Sequence, residues 1–128
     1  MAGRILLIED RPWQRESLQK QFTSRGFDCQ VAEDFKDARR VIAQEDFFPD
    51  IMILDLIIEG SEPYYRFVRK VKKAYPDILI VILSAWYISS LDEQLMAEGV
   101  IERWFEKSTA SEQIEEMMQF FRKRLRKR

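Results

Sequence analysis

Two kinds of apolar spacing alternate along this chain. Short runs of Ile, Leu and Val carry no internal polar alternation, and longer stretches repeat an apolar residue every three or four positions. The first kind reads as strands buried on both faces, the second as amphipathic helices. RILLIE (4–9) is the first strand. Pro12 then suits the opening turn of a helix whose Leu18 and Phe22 share a face until Gly26 stops it. FDCQVA is a second, less hydrophobic strand. In DFKDARRVIAQEDFF, Asp34 is a capping residue and Phe35, Ala38, Val41 and Ile42 fall at helical spacing before Pro49. DIMIL follows as a strand. EPYYRFVRKVKKAY is a helix with Phe67, Val68 and Val71 on one stripe, and ILIVILS (78–84) is the most hydrophobic strand in the chain. SSLDEQLMAEG predicts a helix of about three turns ended by Gly99, and VIERWF a fifth strand. SEQIEEMMQFFRKRLRKR closes the pattern as a helix with Ile114, Met117, Met118, Phe121 and Leu125 inward.

Five strands alternating with five helices over short connections require parallel strands joined by right-handed crossovers. The result is an α/β fold, a sheet covered by helices on both faces. Ligands of such sheets bind beyond the carboxyl ends of the strands. The stretch DIMILDLII therefore holds two aspartates of different standing: Asp50 begins its strand, whereas Asp55 ends it, on the edge where chemistry takes place.

Composition narrows the chemistry. At 128 residues the chain is the size of one domain, and its 46% apolar and 34% charged residues suit a globular protein. No apolar run approaches the roughly 20 residues of a membrane span, and the N-terminus meets acids too early for a signal peptide. There is no histidine, which excludes Ser-His-Asp and Cys-His catalysis, histidine metal ligation and phosphohistidine formation on this chain. The single Cys29 rules out an internal disulfide and fits a reducing cytosol. What remains is Asp, Glu, Lys, Ser and a hard metal ion.

Those residues gather at the strand ends. Glu9 and Asp10 close the first strand, Asp55 the third and Ser84 the fourth, while Lys107 follows the fifth. Three clustered carboxylates repel one another, and Mg²⁺, which prefers oxygen ligands, relieves that repulsion. Lys107 adds a cation and Ser84 a hydroxyl. A metal, an ammonium and a hydroxyl converging on one carboxylate form a phosphoryl-transfer arrangement, with Asp55 as nucleophile.

The order IEDRPWQ, ILDLIIEG, VILSAW, WFEKS resembles the receiver domain of two-component response regulators, strand for strand over nearly the whole chain. The resemblance implies a flavodoxin-like, doubly wound five-stranded parallel sheet of order 2-1-3-4-5, with five helices on two faces. It makes residues 1–128 one receiver domain, a signalling phosphoacceptor and not a conventional enzyme. It implies that Glu9, Asp10 and Asp55 hold Mg²⁺ together with the backbone carbonyl of Ile57. Asp55 is then the phosphoacceptor, assisted by Ser84 and Lys107, with Ser84 and Trp104 as switch residues. Ile57 and Trp86 match the two positions that tune dephosphorylation. The implied donor is a histidine kinase or phosphotransfer protein. The implied output is a domain or protein contacting the fourth helix, fifth strand and fifth helix. Ser108 departs from the proline usual after the lysine, and the loop after Asp55 carries Glu59 and Pro63 at unusual places.

Two other readings compete. The same fold can serve as a phosphorylation-independent pseudo-receiver, an interaction module. A flavin-binding redox protein would need a Ser/Thr/Gly-rich phosphate loop after the first strand, where this chain has Glu-Asp-Arg. The terminal RKRLRKR (122–128) reads as a solvated helix end or the start of a linker in preference to a nucleic-acid contact.

Overall fold

Alternation within each strand decides how the layers assemble. The computed structural model describes residues 2–44, 46–55, 64–84, 89–106 and 111–127, with the side chains of residues 84, 111 and 112 outside that description. In chain order the elements are β1 (Gly3–Ile8), α1 (Pro12–Ser24), β2 (Phe27–Ala32), α2 (Phe35–Ile42) and β3 (Ile51–Asp55). They continue with α3 (Tyr64–Ala74), β4 (Leu79–Ser84), α4 (Ser90–Ala97), β5 (Arg103–Glu106) and α5 (Ser111–Arg126). All strand pairs are parallel and the order is β2-β1-β3-β4-β5, the predicted topology.

Successive side chains of a strand point to opposite faces. Leu6, Ile8, Met52, Leu54, Ile80 and Ile82 meet α2, α3 and α4 through Phe35, Ala38, Phe67, Val68 and Leu95. Ile5, Leu7, Ile51, Ile53, Val81 and Phe105 meet α1 and α5 through Leu18, Phe22, Ile114, Met117, Met118 and Phe121. Both faces are thus covered, which is why β1, β3 and β4 tolerate no polar alternation.

Local signals place most element ends. Asp34 caps α2 by accepting from Asp37 N at 2.7 Å. Ser89 and Asp92 form a reciprocal capping box at the start of α4. Gly99 follows that helix at φ +77°, a conformation costly for a residue with a Cβ. Asp50 is structural, because its Oδ2 accepts from Arg4 N at 2.9 Å and its own N–H donates to the Arg4 carbonyl.

Three boundaries differ from the sequence reading. The second helix stops at Ile42, and Phe47 enters the core from the following loop instead. The fourth helix has 8 residues, shorter than three turns. The fifth strand begins at Arg103, because Val100 and Ile101 spend their N–H groups on the Leu95 carbonyl at the end of α4. The basic end of α5 folds back on its own domain: Arg122 donates to the Arg25 carbonyl and Arg124 pairs with Glu102. No helix among the described residues is long and apolar enough to cross a membrane.

Candidate functional site

Strand register brings the acids together. Ile8 of β1 lies level with Leu54 of β3, so the next residues, Glu9 and Asp55, leave the sheet side by side. Both are buried, Glu9 at 0% and Asp55 at 1% exposure, and with Asp10 they offer carboxylate oxygens that all lie within 4.8 Å of one another. The backbone holds Glu9 in place, since its N–H donates to the Ala32 carbonyl and its own carbonyl accepts from Arg15 Nη1 at 3.0 Å.

Such a cluster needs a cation, and the fold supplies one. Arg11 donates from Nε to Glu9 Oε1 at 3.0 Å and from Nη2 to Asp55 Oδ2 at 3.0 Å, so one guanidinium bridges two strand ends. Its backbone N–H also reaches Glu9 Oε1 at 3.2 Å. Local sequence explains the pose. Arg11 precedes Pro12, which disfavours helical geometry at the preceding residue, and Arg11 is extended at φ −87°, ψ 116° as the N-cap of α1. The chain turns there, directing the long side chain back over the pocket. Burial works against the Arg11 charge, yet the hydrogen bond to Glu9 and the charges of Glu9, Asp55 and Asp10 outweigh it and raise its pKa. Sequence reading assigned charge compensation to a metal and Lys107 and passed over Arg11. Its position between the acid pair and a helix-opening proline was the available signal.

The donor set fits a hard divalent ion. All three side chains offer carboxylate oxygens, and Asp10 Oδ1 is buried with no hydrogen-bond partner among the described residues. A buried acceptor with no hydrogen-bond partner among the described residues can take a metal ion as its partner.

The other predicted residues divide into described and undescribed. Ser84 ends β4, its backbone one step beyond the level of Asp55 and paired with Glu106. Its hydroxyl, Lys107, Ile57, Trp86 and the Lys107–Ser108 bond lie outside the described residues. Trp104 is described. It sits on β5 opposite Ile82, half-buried on the face that carries α4, and its indole Nε1 is buried without a partner among the described residues. On the same face of the sheet, Tyr64 at the start of α3 donates its hydroxyl to Asp92 of α4, a buried carboxylate that also accepts from Ser89. Burial and that bond raise the Tyr64 pKa. This link joins the helices that come next in the chain after β3 and β4.

A sequence profile of the response regulator receiver domain matches residues 5–119. The chain belongs to the response regulator receiver domain family. Among curated relatives, the response regulator MprA of Mycolicibacterium vanbaalenii is 30% identical over 88 residues, 66% of this receiver chain and 36% of MprA. The receiver chain thus spans little more than a third of that relative's length. Among solved structures, the receiver domain of a putative Luxo repressor protein from Vibrio parahaemolyticus superposes with a TM-score of 0.80 at 20% identity, covering 97% and 92% of the two chains. The response regulator TrrA of Thermotoga maritima, solved in complex with Mg²⁺-BeF, gives 0.74 at 22% identity, covering 93% of this receiver and 98% of TrrA. These similarities show the receiver fold, with its strand order and five helices.

Proposed function

We propose that this receiver domain takes a phosphoryl group on Asp55 from a phosphohistidine donor in a Mg²⁺-dependent reaction, residues 1–128 acting as one unit. The observation that carries the reading is the buried Asp55 carboxylate, level with Glu9 and within 4.8 Å of the acid pair, in a chain of this family. The P–N bond of the donor breaks as an Asp55 oxygen forms its bond to phosphorus. The electron pair leaves with the imidazole nitrogen, and the ring ends neutral because its other nitrogen carries a proton or the leaving nitrogen takes one from solvent. Bound at Glu9, Asp10 and Asp55, Mg²⁺ would neutralise charge on the group in transfer. The chain's own residues orient the nucleophile: the β1–β3 register sets Asp55 beside Glu9, and the apolar walls of those strands keep bulk water from its sides. Lys107 and Ser84 are assigned to the phosphoryl oxygens by the family resemblance, with the Ile57 carbonyl as a further metal ligand. The partners are a histidine kinase or phosphotransfer protein upstream, and an output domain or protein at the α4-β5-α5 face.

One observation favours the competing pseudo-receiver reading. Arg11 already compensates the pocket, as a module that never meets a metal would require. Incubation with acetyl phosphate and Mg²⁺ separates the two. Intact mass should show one added phosphoryl group that hydroxylamine removes, and Asp55→Asn should abolish it while circular dichroism stays the same. An unmodified wild type, or equal labelling of Asp55→Asn, refutes the assignment.

A further inference from the structure

A guanidinium spans the acid pocket that Mg²⁺ would occupy. Arg11 takes one oxygen from each of two carboxylates that belong to the same three-residue cluster, Glu9 Oε1 and Asp55 Oδ2. A metal ion would draw on these same carboxylates, each of which already gives an oxygen to the guanidinium at 3.0 Å. The Arg11 side chain is 39% exposed, whereas Asp55 and Glu9 are buried. It therefore has solvent to move into, and they have none.

We propose that Arg11 is an internal counter-cation that bridges Glu9 and Asp55 in the resting domain and withdraws when Mg²⁺ binds, so that the two cations compete for one pocket. This inference rests on the Mg²⁺-dependent receiver reading and adds to it a control on metal occupancy. The backbone makes such an exchange feasible. Arg11 N–H donates to Glu9 Oε1 at 3.2 Å independently of the side chain, so Glu9 keeps one donor when the guanidinium leaves. Asp55 instead gives up the Arg11 bond as the pocket gains its metal. The resting pocket is thereby relieved of part of its repulsion, at the expense of metal affinity. A domain built this way is activated only where Mg²⁺ or an incoming phosphoryl donor outcompetes the side chain.

Calorimetric titration of Mg²⁺ into the unphosphorylated protein tests this without reference to phosphotransfer. Removing the competing guanidinium, whose effect is partly screened by solvent, should tighten binding roughly tenfold in Arg11→Gln. Arg11→Lys, a point charge that cannot fork between two carboxylates, should fall between Arg11→Gln and wild type. Adding Asp10→Asn to Arg11→Gln should remove most of the gain, locating the ion in this pocket. Should Arg11→Gln unfold without metal, the Lys variant carries the comparison. Equal or weaker Mg²⁺ affinity in a folded Gln or Lys variant overturns the counter-cation role and leaves the receiver reading standing. Gain that survives Asp10→Asn places the ion elsewhere and also overturns it. Absence of Mg²⁺ binding in every variant refutes the counter-cation role together with the metal-dependent reading.

Discussion

Neutralising Asp10 should stabilise the metal-free protein, the reverse of what losing a polar side chain usually does. In Asp10→Asn two repulsions vanish, toward Glu9 and Asp55, and one attraction vanishes, toward Arg11. The net change is one like-charge pair. At the 4.8 Å limit of the cluster, one pair amounts to about 3.5 kcal/mol at an effective dielectric of about 20 and about 0.9 kcal/mol in water. Asp10 is partly exposed, so the lower part of that range applies, about 1 kcal/mol. The new amide can also donate toward the neighbouring carboxylates, where Asp10 Oδ1 has no partner among the described residues. For a domain of this size, about 1 kcal/mol raises the Tm by about 4 °C. Thermal unfolding in EDTA measures it. The same melts with Mg²⁺ give the opposite order of response. At a free ion concentration tenfold above Kd, the wild type gains about 1.4 kcal/mol by linkage, and Asp10→Asn gains far less. A lower Tm for the variant in EDTA would mean that Asp10 serves as a structural cap. Equal Mg²⁺-induced shifts would remove it from the metal site.

The thiol and the hydrolysis rate give two further tests. Burial, assisted by the charge of Asp28, pushes the Cys29 thiol up to about 12. A folded pKa above the unfolded value contributes stability that is present below about pH 8.5 and lost as pH rises from there through about 12. Ellman's reagent at pH 8 should therefore react at least a hundredfold more slowly with folded than with urea-unfolded protein, and equal rates would contradict the burial. If Ile57 and Trp86 flank the path of the hydrolytic water, as the family resemblance implies, two apolar side chains should leave the aspartyl phosphate long-lived. Decay after donor removal should quicken in Ile57→Asn and Trp86→Glu, and decay fastest in wild type would refute the idea.

The sequence by itself determined the elements and their order. β1, β3 and β4 are unbroken apolar runs because helices cover both faces, and that burial leaves a plain trace in composition. Asp34, Ser89 with Asp92, and Gly99 mark helix ends through short-range hydrogen bonds or a backbone angle, so their signals are also local. Parallel alternation then puts Glu9, Asp10 and Asp55 at one sheet edge before any coordinates are known. Tertiary structure decided what no local pattern carries. The 44-residue separation between Arg11 and Asp55 closes only through the β1–β3 register, so a surface-like arginine became the bridge between two buried carboxylates. Tyr64 and Asp92, 28 positions apart, likewise meet only once α3 and α4 pack on the same face. Phe47 left its helix, and Val100 and Ile101 their strand, because core space and free carbonyls were available elsewhere. Periodicity reports which face of an element is buried. Which partner a long polar side chain finds depends on chain segments that only the folded sheet brings within reach.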